Sequence, residues 1–324
     1  MLPDWLKSEN TIYEKLKDSK FLCNDVYTGI DDIRNQYNRH IGTHNENFVG
    51  GVYYAAPYSW CADIPQEVNI NDNDLKHITV AILNWERQIY IPFIMEIYNN
   101  QDYPKNLIEI LIIDDCSTNK TEVLNIIKEQ VRLYPNLKIR FVQNYVNKCN
   151  GPPKRTNMGV RLATHDIVII NETDNLPLGK NYLRGVCYAH NRFKNVSSTG
   201  IPISFPGNVL TDIFKDDSSG YHIMNRFGTG VFSFNKELFS KIRGFDEKHI
   251  GWGGHEGNIY SRYVKAGGRC FLNLNMYSGN LPNFPVPPGE APAGPGTDDW
   301  QQCDIINDEN WGISERMEEI NLYE

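Results

Sequence analysis

A strand–helix rhythm in the middle of this chain limits its folding more than any other feature. His77–Asn84 (HITVAILN) is apolar and β-branched without polar alternation, the pattern of a strand buried on both faces. Gln88–Asn100 follows with Ile91, Ile94, Met95 and Tyr98 at helical spacing, and Pro92 suits only the first turn of such a helix. Leu107–Ile113 is a second apolar run, closed by Asp114 and Asp115. Thr121–Tyr134 reads as a helix with Val123, Ile126, Ile127 and Val131 on one side. Leu137–Gln143 reads as a third strand, Asn157–Ala163 as helical and Asp166–Ile170 as a fourth strand. Strands separated by helices predict an α/β fold, with a mainly parallel central sheet flanked by helices. Ligands of such sheets bind beyond the carboxyl ends of the strands. Three of the four predicted strands end there in polar clusters, Asn84–Arg87, Asp114–Thr118 and Asn171–Asn175. A site is expected at those tips.

Around this core, residues 1–75 form a polar N-terminal extension and residues 76–275 the α/β domain. Residues 276–324 form a Pro-rich arm with an acidic tail, whose Ser314–Leu322 stretch reads as a short helix. At 324 residues, with 40% hydrophobic and 12% aromatic residues, the chain can bury a sizeable core, which excludes wholesale disorder. Its formal charge of −8 argues against a coat for nucleic acid or an anionic membrane. The seven cysteines are odd in number and show no CxxC pair, so neither a disulfide framework nor a structural zinc site is expected. Free thiols fit a reducing compartment, here cytoplasmic. No signal peptide or membrane-spanning run is read in the sequence. The abundance of Asn fits an AT-rich source, viral or microbial.

Four clusters carry candidate chemistry. In Ile112–Thr121 (IIDDCSTNKT), Ser117 or Asn119 can cap a helix, but adjacent carboxylates at a strand tip repel unless something bridges or solvates them. A carboxylate there can accept from a nucleobase imide or a ribose hydroxyl. In Asn171–Pro177 (NETDNLP), Glu172 and Asp174 lie two apart, so in an extended segment both face one way. They read either as an acidic turn or as hard oxygen ligands for Mn²⁺ or Mg²⁺. In Asn150–Ala163 (NGPPKRTNMGVRLA), Lys154 and Arg155 follow a rigid loop and suit a diphosphate, whereas Arg161 reads as part of a solvated helix face. In Phe227–Gly268, Gly-Phe-Asp-Glu precedes Gly-Trp-Gly-Gly-His-Glu. There Trp252 can stack on a sugar face. Glu256 is either a helix cap or a general base.

The order of these motifs, from about Thr79 to Gly268, resembles family 2 glycosyltransferases with the GT-A fold. TVAILNWER with NNQDYPKNLIEILIIDDCSTNKT is similar to that family's nucleotide-binding opening, and NGPPKRTNMGVRLA to its basic loop before a helix. Glu172-Thr173-Asp174 resembles its metal-binding Asp-x-Asp; aligned without gaps to Asp-x-Asp-Asp, only Asp174 survives, with Asn171 in the first position. Gly244–Glu247 and Trp252–Glu256 resemble Gly-Phe-Asp-Glu and Trp-Gly-Gly-Glu-Asp, with His255 and Glu256 in the last two places.

The resemblance implies transfer of a sugar from a nucleoside-diphosphate donor such as a UDP-sugar to an acceptor hydroxyl, with inversion and metal assistance. Leu83, Asn84, Glu86, Arg87, Asp114, Asp115, Lys154, Arg155 and Asn171 would hold the nucleotide sugar. Asp174 and Glu172 would hold Mn²⁺ or Mg²⁺, Glu256 would be the base, and Trp252, Gly253, Gly254 and His255 would shape the acceptor side. The acceptor is expected to be a glycan, a protein or a small molecule. The competing readings are a degenerate transferase that binds carbohydrate or serves as a scaffold, and a nucleotidyltransferase. The latter is disfavoured by Asn84-Trp85-Glu86-Arg87, where a Gly-rich basic loop would stand.

Overall fold

The computed structural model describes residues 68–146, 152–204, 222–223, 231–248, 255–280 and 308–323. The sequence-predicted N-terminal extension up to residue 67 and the Pro-rich stretch 281–307 lie outside the described residues.

The predicted rhythm is present. In chain order it runs β1 (Ile78–Asn84), α1 (Ile91–Asn99), β2 (Ile108–Asp115), α2 (Lys120–Leu133), β3 (Lys138–Asn144), α3 (Pro152–Leu162) and β4 (Ile167–Glu172). The second half adds β5 (Asn175–Leu178), α4 (Tyr182–Arg192), β6 (Val196–Ser204), β7 (His222–Ile223) and β8 (Val231–Asn235). It closes with α5 (Lys236–Lys241), α6 (His255–Lys265), β9 (Arg269–Asn280) and β10 (Met317–Ile320). These strands form one sheet in the order β10-β3-β2-β1-β4-β8-β6-β9-β5, with β7 on β6. At its centre β3, β2, β1 and β4 are parallel. β8 joins β4 antiparallel, which turns the second half into a mixed sheet.

The continuous apolar runs are explained by burial on both faces. In β1, Ile78, Val80 and Ile82 face one core with α1, α2 and α4. Ala81 and Leu83 face a second core with Met158 and Val160 of α3, Phe239 of α5, and Tyr260 and Tyr263 of α6. α3 lies close on the sheet because Gly159 has no side chain: a Cβ there would stand 3.0 Å from Ala81 Cβ and 3.2 Å from Ile170 Cδ1.

The helix expected over Ser314–Leu322 is not formed; Met317–Ile320 is the edge strand β10, antiparallel to β3. Backbone pairing with an open sheet edge outweighs the weak local preference of this acidic segment. Side chains reinforce it. Arg140 on β3 meets Glu319 on β10 at 2.8 Å, and Trp311, 5% exposed, sits in the second core. Arg161, expected on a solvated face, donates to the carbonyls of Trp311 and Glu309 and lies 5.3 Å from the Trp311 ring centroid.

Candidate active site

The carboxyl ends of the four parallel strands, Asn84, Asp115, Asn144 and Glu172, converge on one region. Asp114 does not open onto it. It is fully buried, and its two oxygens accept from Asn84 Nδ2 (2.6 Å), Ser117 Oγ and backbone N–H, and Gln143 Nε2 (2.6 Å). The repulsion between adjacent acids is thus relieved by enclosing one of them in donors. Asp115, next along, is partly exposed and accepts from Asn144 Nδ2 at 2.8 Å. Burial pushes its carboxyl above the ordinary range, opposed by Arg155, Asn144 and Lys154. Gln143 and Asn144, which hold the two acids, belong to a fourth polar strand end that the sequence reading cut short at Gln143. The signal was the polar pair itself, closing an apolar run.

The loops after β1 and β2 are clasped together. Glu86 N donates to Ser117 Oγ (2.9 Å), and the Glu86 carboxylate accepts from Thr118 N (2.5 Å) and Oγ1 (2.6 Å). Glu86 and Cys116 both hold positive φ, 56° and 66°. Non-glycine residues in that region concentrate at functional sites. Glu86 is therefore engaged within the protein. Asn119 is the true helix cap, accepting from Glu122 N at 3.1 Å.

Beyond β4 the chain folds over β1: Thr173 N and Oγ1 both donate to the Leu83 carbonyl. Asn171 is fully buried; it accepts from Tyr98 Oη (2.8 Å) and donates to the carbonyls of Glu172 (2.7 Å) and Asn175 (2.8 Å). An aspartate could not make those two donations. The departure from the family's Asp is therefore a hydrogen-bonding requirement of this turn.

Glu172 and Asp174 do come together, each on its own arginine. Arg87 Nη1 lies 2.6 Å from Asp174 Oδ2, and Arg155 Nη2 lies 3.2 Å from Glu172 Oε1. Asn175 Nδ2 donates to the second Asp174 oxygen at 3.0 Å. Burial pushes Asp174 above the ordinary carboxylate range, against the pull of Arg87 and Arg155, and Glu172 adds to the rise. Asp115, Glu172 and Asp174 thus face Arg87, Lys154 and Arg155, a charge-balanced constellation from four segments.

The two carboxylates are hard oxygen donors, the ligand type that a divalent cation such as Mn²⁺ or Mg²⁺ takes. Among the described residues no group of three or more His, Cys, Asp or Glu stands in a metal-holding arrangement. Any such ion would take its remaining ligands from substrate oxygens and water. His255 and Glu256 open α6, whereas Trp252, Gly253 and Gly254 lie outside the described residues. Among the described residues no helix is long and apolar enough to cross a membrane.

Residues 79–230 match the family described as glycosyl transferase family 2, and residues 214–280 match the one described as N-terminal domain of galactosyltransferase. The segment 79–230 is thus family 2-like in sequence. Its architecture has the expected mainly parallel central sheet flanked by helices. The domain is similar to a dolichyl N-acetyl-α-D-glucosaminyl phosphate 3-β-D-2,3-diacetamido-2,3-dideoxy-β-D-glucuronosyltransferase of Methanococcus voltae, 36% identical over 98 residues. It is also similar to the poly(ribitol-phosphate) β-N-acetylglucosaminyltransferase TarS of Staphylococcus aureus, 29% identical over 96 residues. Each match covers 30% of this chain, and 28% and 16% of the respective relatives, so the chain spans less than a third of either. Among solved structures, the mannosyltransferase PcManGT of Pyrobaculum calidifontis in complex with GDP-Man and Mn²⁺ aligns at 18% identity. That alignment covers 77% of this chain and 68% of that one, with a TM-score of 0.47.

Proposed function

We propose that the chain transfers a sugar from a nucleoside-diphosphate sugar to an acceptor hydroxyl, with inversion at the transferred carbon. The observation that carries this reading is the charge-balanced constellation at the carboxyl ends of β1, β2 and β4, within the segment that matches family 2. Asp115, partly exposed and oriented by Asn144, is the acceptor for a nucleobase imide or ribose hydroxyl, beside the Leu83–Arg87 loop. Asp114, Asn171 and Glu86 support it from behind by fixing the strand tips. Lys154 and Arg155, at the start of α3, place positive charge where a diphosphate would lie.

Glu172 and Asp174 would hold Mn²⁺ or Mg²⁺, and such an ion, when bound, supplies Lewis-acid stabilisation of the leaving diphosphate. Arg87 and Arg155, which neutralise those carboxylates in this structure, are placed to carry the donor's negative charge once the carboxylates have another counter-charge. Glu256, in the first turn of α6, takes the acceptor proton. Trp252, Gly253, Gly254 and His255 shape the acceptor side, and the acceptor is a glycan, protein or small molecule.

A panel of nucleotide sugars, with and without Mn²⁺, tests the reading by melting shift and slow donor hydrolysis. A donor present at about 100 times its Kd stabilises by about 2.7 kcal/mol, a readily measured shift. Absence of both a shift and hydrolysis across the panel would replace it with the degenerate carbohydrate-binding reading.

A further inference from the structure

Two polar residues outside the constellation tie its basic helix to the Gly-Phe-Asp-Glu turn, which precedes Glu256 in sequence. Asn157 lies on α3, two residues after Arg155, and is fully buried. Its Oδ1 accepts from Phe245 N at 2.8 Å, and its Nδ2 donates to Phe245 O and Glu247 Oε1, both at 2.9 Å. The amide thus grips both backbone groups of one residue and the carboxylate two places on. The same Glu247 oxygen accepts from Gly312 N at 2.5 Å. Gly312 has φ of +66°, and a Cβ there would stand 2.8 Å from the Asn157 carbonyl carbon and oxygen. Three distant parts of the chain meet at this node: α3, the Gly-Phe-Asp-Glu turn and the C-terminal segment that continues into β10.

The node extends to α6. Arg262 on that helix is buried; it donates to the Ile242 carbonyl, just ahead of the Gly-Phe-Asp-Glu turn, at 2.9 Å, and to Asn258 Oδ1 at 2.7 Å. The helix that opens with His255 and Glu256 is therefore held to the chain before the turn, while Asn157 and Gly312 hold the turn itself through Glu247.

Resting on the function proposed above, we infer that Asn157 and Glu247 are positioning residues for sugar transfer, setting the Glu256 side of the site against Lys154 and Arg155, with the Gly312 turn closing the clamp. Glu247 acts through its hydrogen-bond-accepting oxygen, not through a proton it exchanges. A glutamine oxygen can accept the same two N–H groups, whereas alanine can accept neither.

The test compares Glu247→Ala and Glu247→Gln with the wild type, well below the lowest melting temperature. It uses the donor found in the panel and titrates UDP or GDP, whichever binds the wild type. With Glu247→Ala, kcat for transfer should fall about 10- to 100-fold, the cost of a misplaced reacting group. Nucleotide Kd should stay within about threefold, and Glu247→Gln should keep kcat within about threefold. Wild-type kcat in Glu247→Ala would overturn the inference. So would a glutamine variant as slow as alanine, since Glu247 would then handle a proton. An equal loss of nucleotide affinity and kcat would overturn it as well. Should Glu247→Ala not fold, Gly312→Ala presses on the same node from the far side and is read by the same split between kcat and Kd. Failure of the functional reading is distinguishable, because the wild type itself would then neither bind nucleotide nor transfer sugar.

Discussion

Asn171 shows how one side chain can look like a lost ligand and be a structural necessity. Its amide donates to two carbonyls and accepts from Tyr98. Asn171→Asp would set a carboxylate against those two carbonyls in a fully buried position. It is expected to destabilise the fold by about 1–3 kcal/mol, the cost of buried groups left without partners. Urea denaturation at neutral pH checks this, and an unchanged midpoint would show that the turn can rebuild. Asp174 and Glu256 carry the opposite expectation. Asp174→Asn should leave a folded protein with transfer reduced about 100-fold or more, by loss of electrostatic stabilisation. Glu256→Gln should slow transfer by about 10²–10⁴-fold, the usual contribution of a general base, with nucleotide binding intact. Near-normal turnover in a folded Glu256→Gln protein would remove Glu256 from that role.

At the scale of elements, α3 does most to build the site. It brings Arg155 to Glu172 and Lys154 toward Asp115, and it seats on the sheet through Gly159. Gly159→Val would force three carbons into a gap already filled by Ala81, Ile170 and Leu83. A loss of about 1–3 kcal/mol is expected from overpacking. Because the helix would be lifted from β1 and β4, nucleotide affinity should fall together with the melting temperature. A variant that loses stability but binds nucleotide normally would show that Arg155 and Lys154 are placed by the loop alone. β10 is the second informative element. It covers the outer edge of β3, the strand whose Gln143 and Asn144 hold the two acids of β2. The C-terminal segment therefore supports the two acids of β2 through β3, and the Asn157–Glu247 node through Gly312.

At the scale of the whole molecule, the opposite end of the sheet has its own charge logic. Glu109, at the start of β2, is fully buried and accepts from Thr79 Oγ1 and Thr164 N, with Lys138 at 2.5 Å and Arg140 at 3.4 Å. Burial alone would raise its carboxyl, but Lys138 and Thr164 pull it down to about 2 from the ordinary 4.5. A carboxyl lowered by folding stabilises the native state fully above its unfolded value and loses that contribution as pH falls through its folded value. Glu109 should therefore add to stability at neutral pH and lose its share between about 4.5 and about 2. In Glu109→Gln the denaturation midpoint should be lower than wild type at pH 7, with the gap narrowing as the solution is acidified toward about 2. A gap that is the same at pH 7 and near about 2 would mean the charge contributes nothing.

The central sheet was legible in the chain itself. Strands buried on both faces are apolar at nearly every position, and helices with one buried face repeat their apolar residues every three to four places. HITVAILN, LIEILII and the helices between them could take few other arrangements. The acids at the strand tips were legible for the same reason, since polar residues closing apolar runs must meet solvent, donors or a ligand. Which of these alternatives each residue meets was decided only in three dimensions. Asp114 and Asp115 are neighbours in sequence, yet alternation along the strand puts one among donors and the other beside Arg155. The acidic tail became a strand because a distant sheet edge offered backbone partners that no local pattern could announce. The sequence by itself determined the layers and the end of the sheet at which the charged side chains gather. The tertiary structure alone decided the charge pairing and the clamp, because Arg87 with Asp174, Asn157 with Glu247, and Glu247 with Gly312 join residues 65 to 90 positions apart.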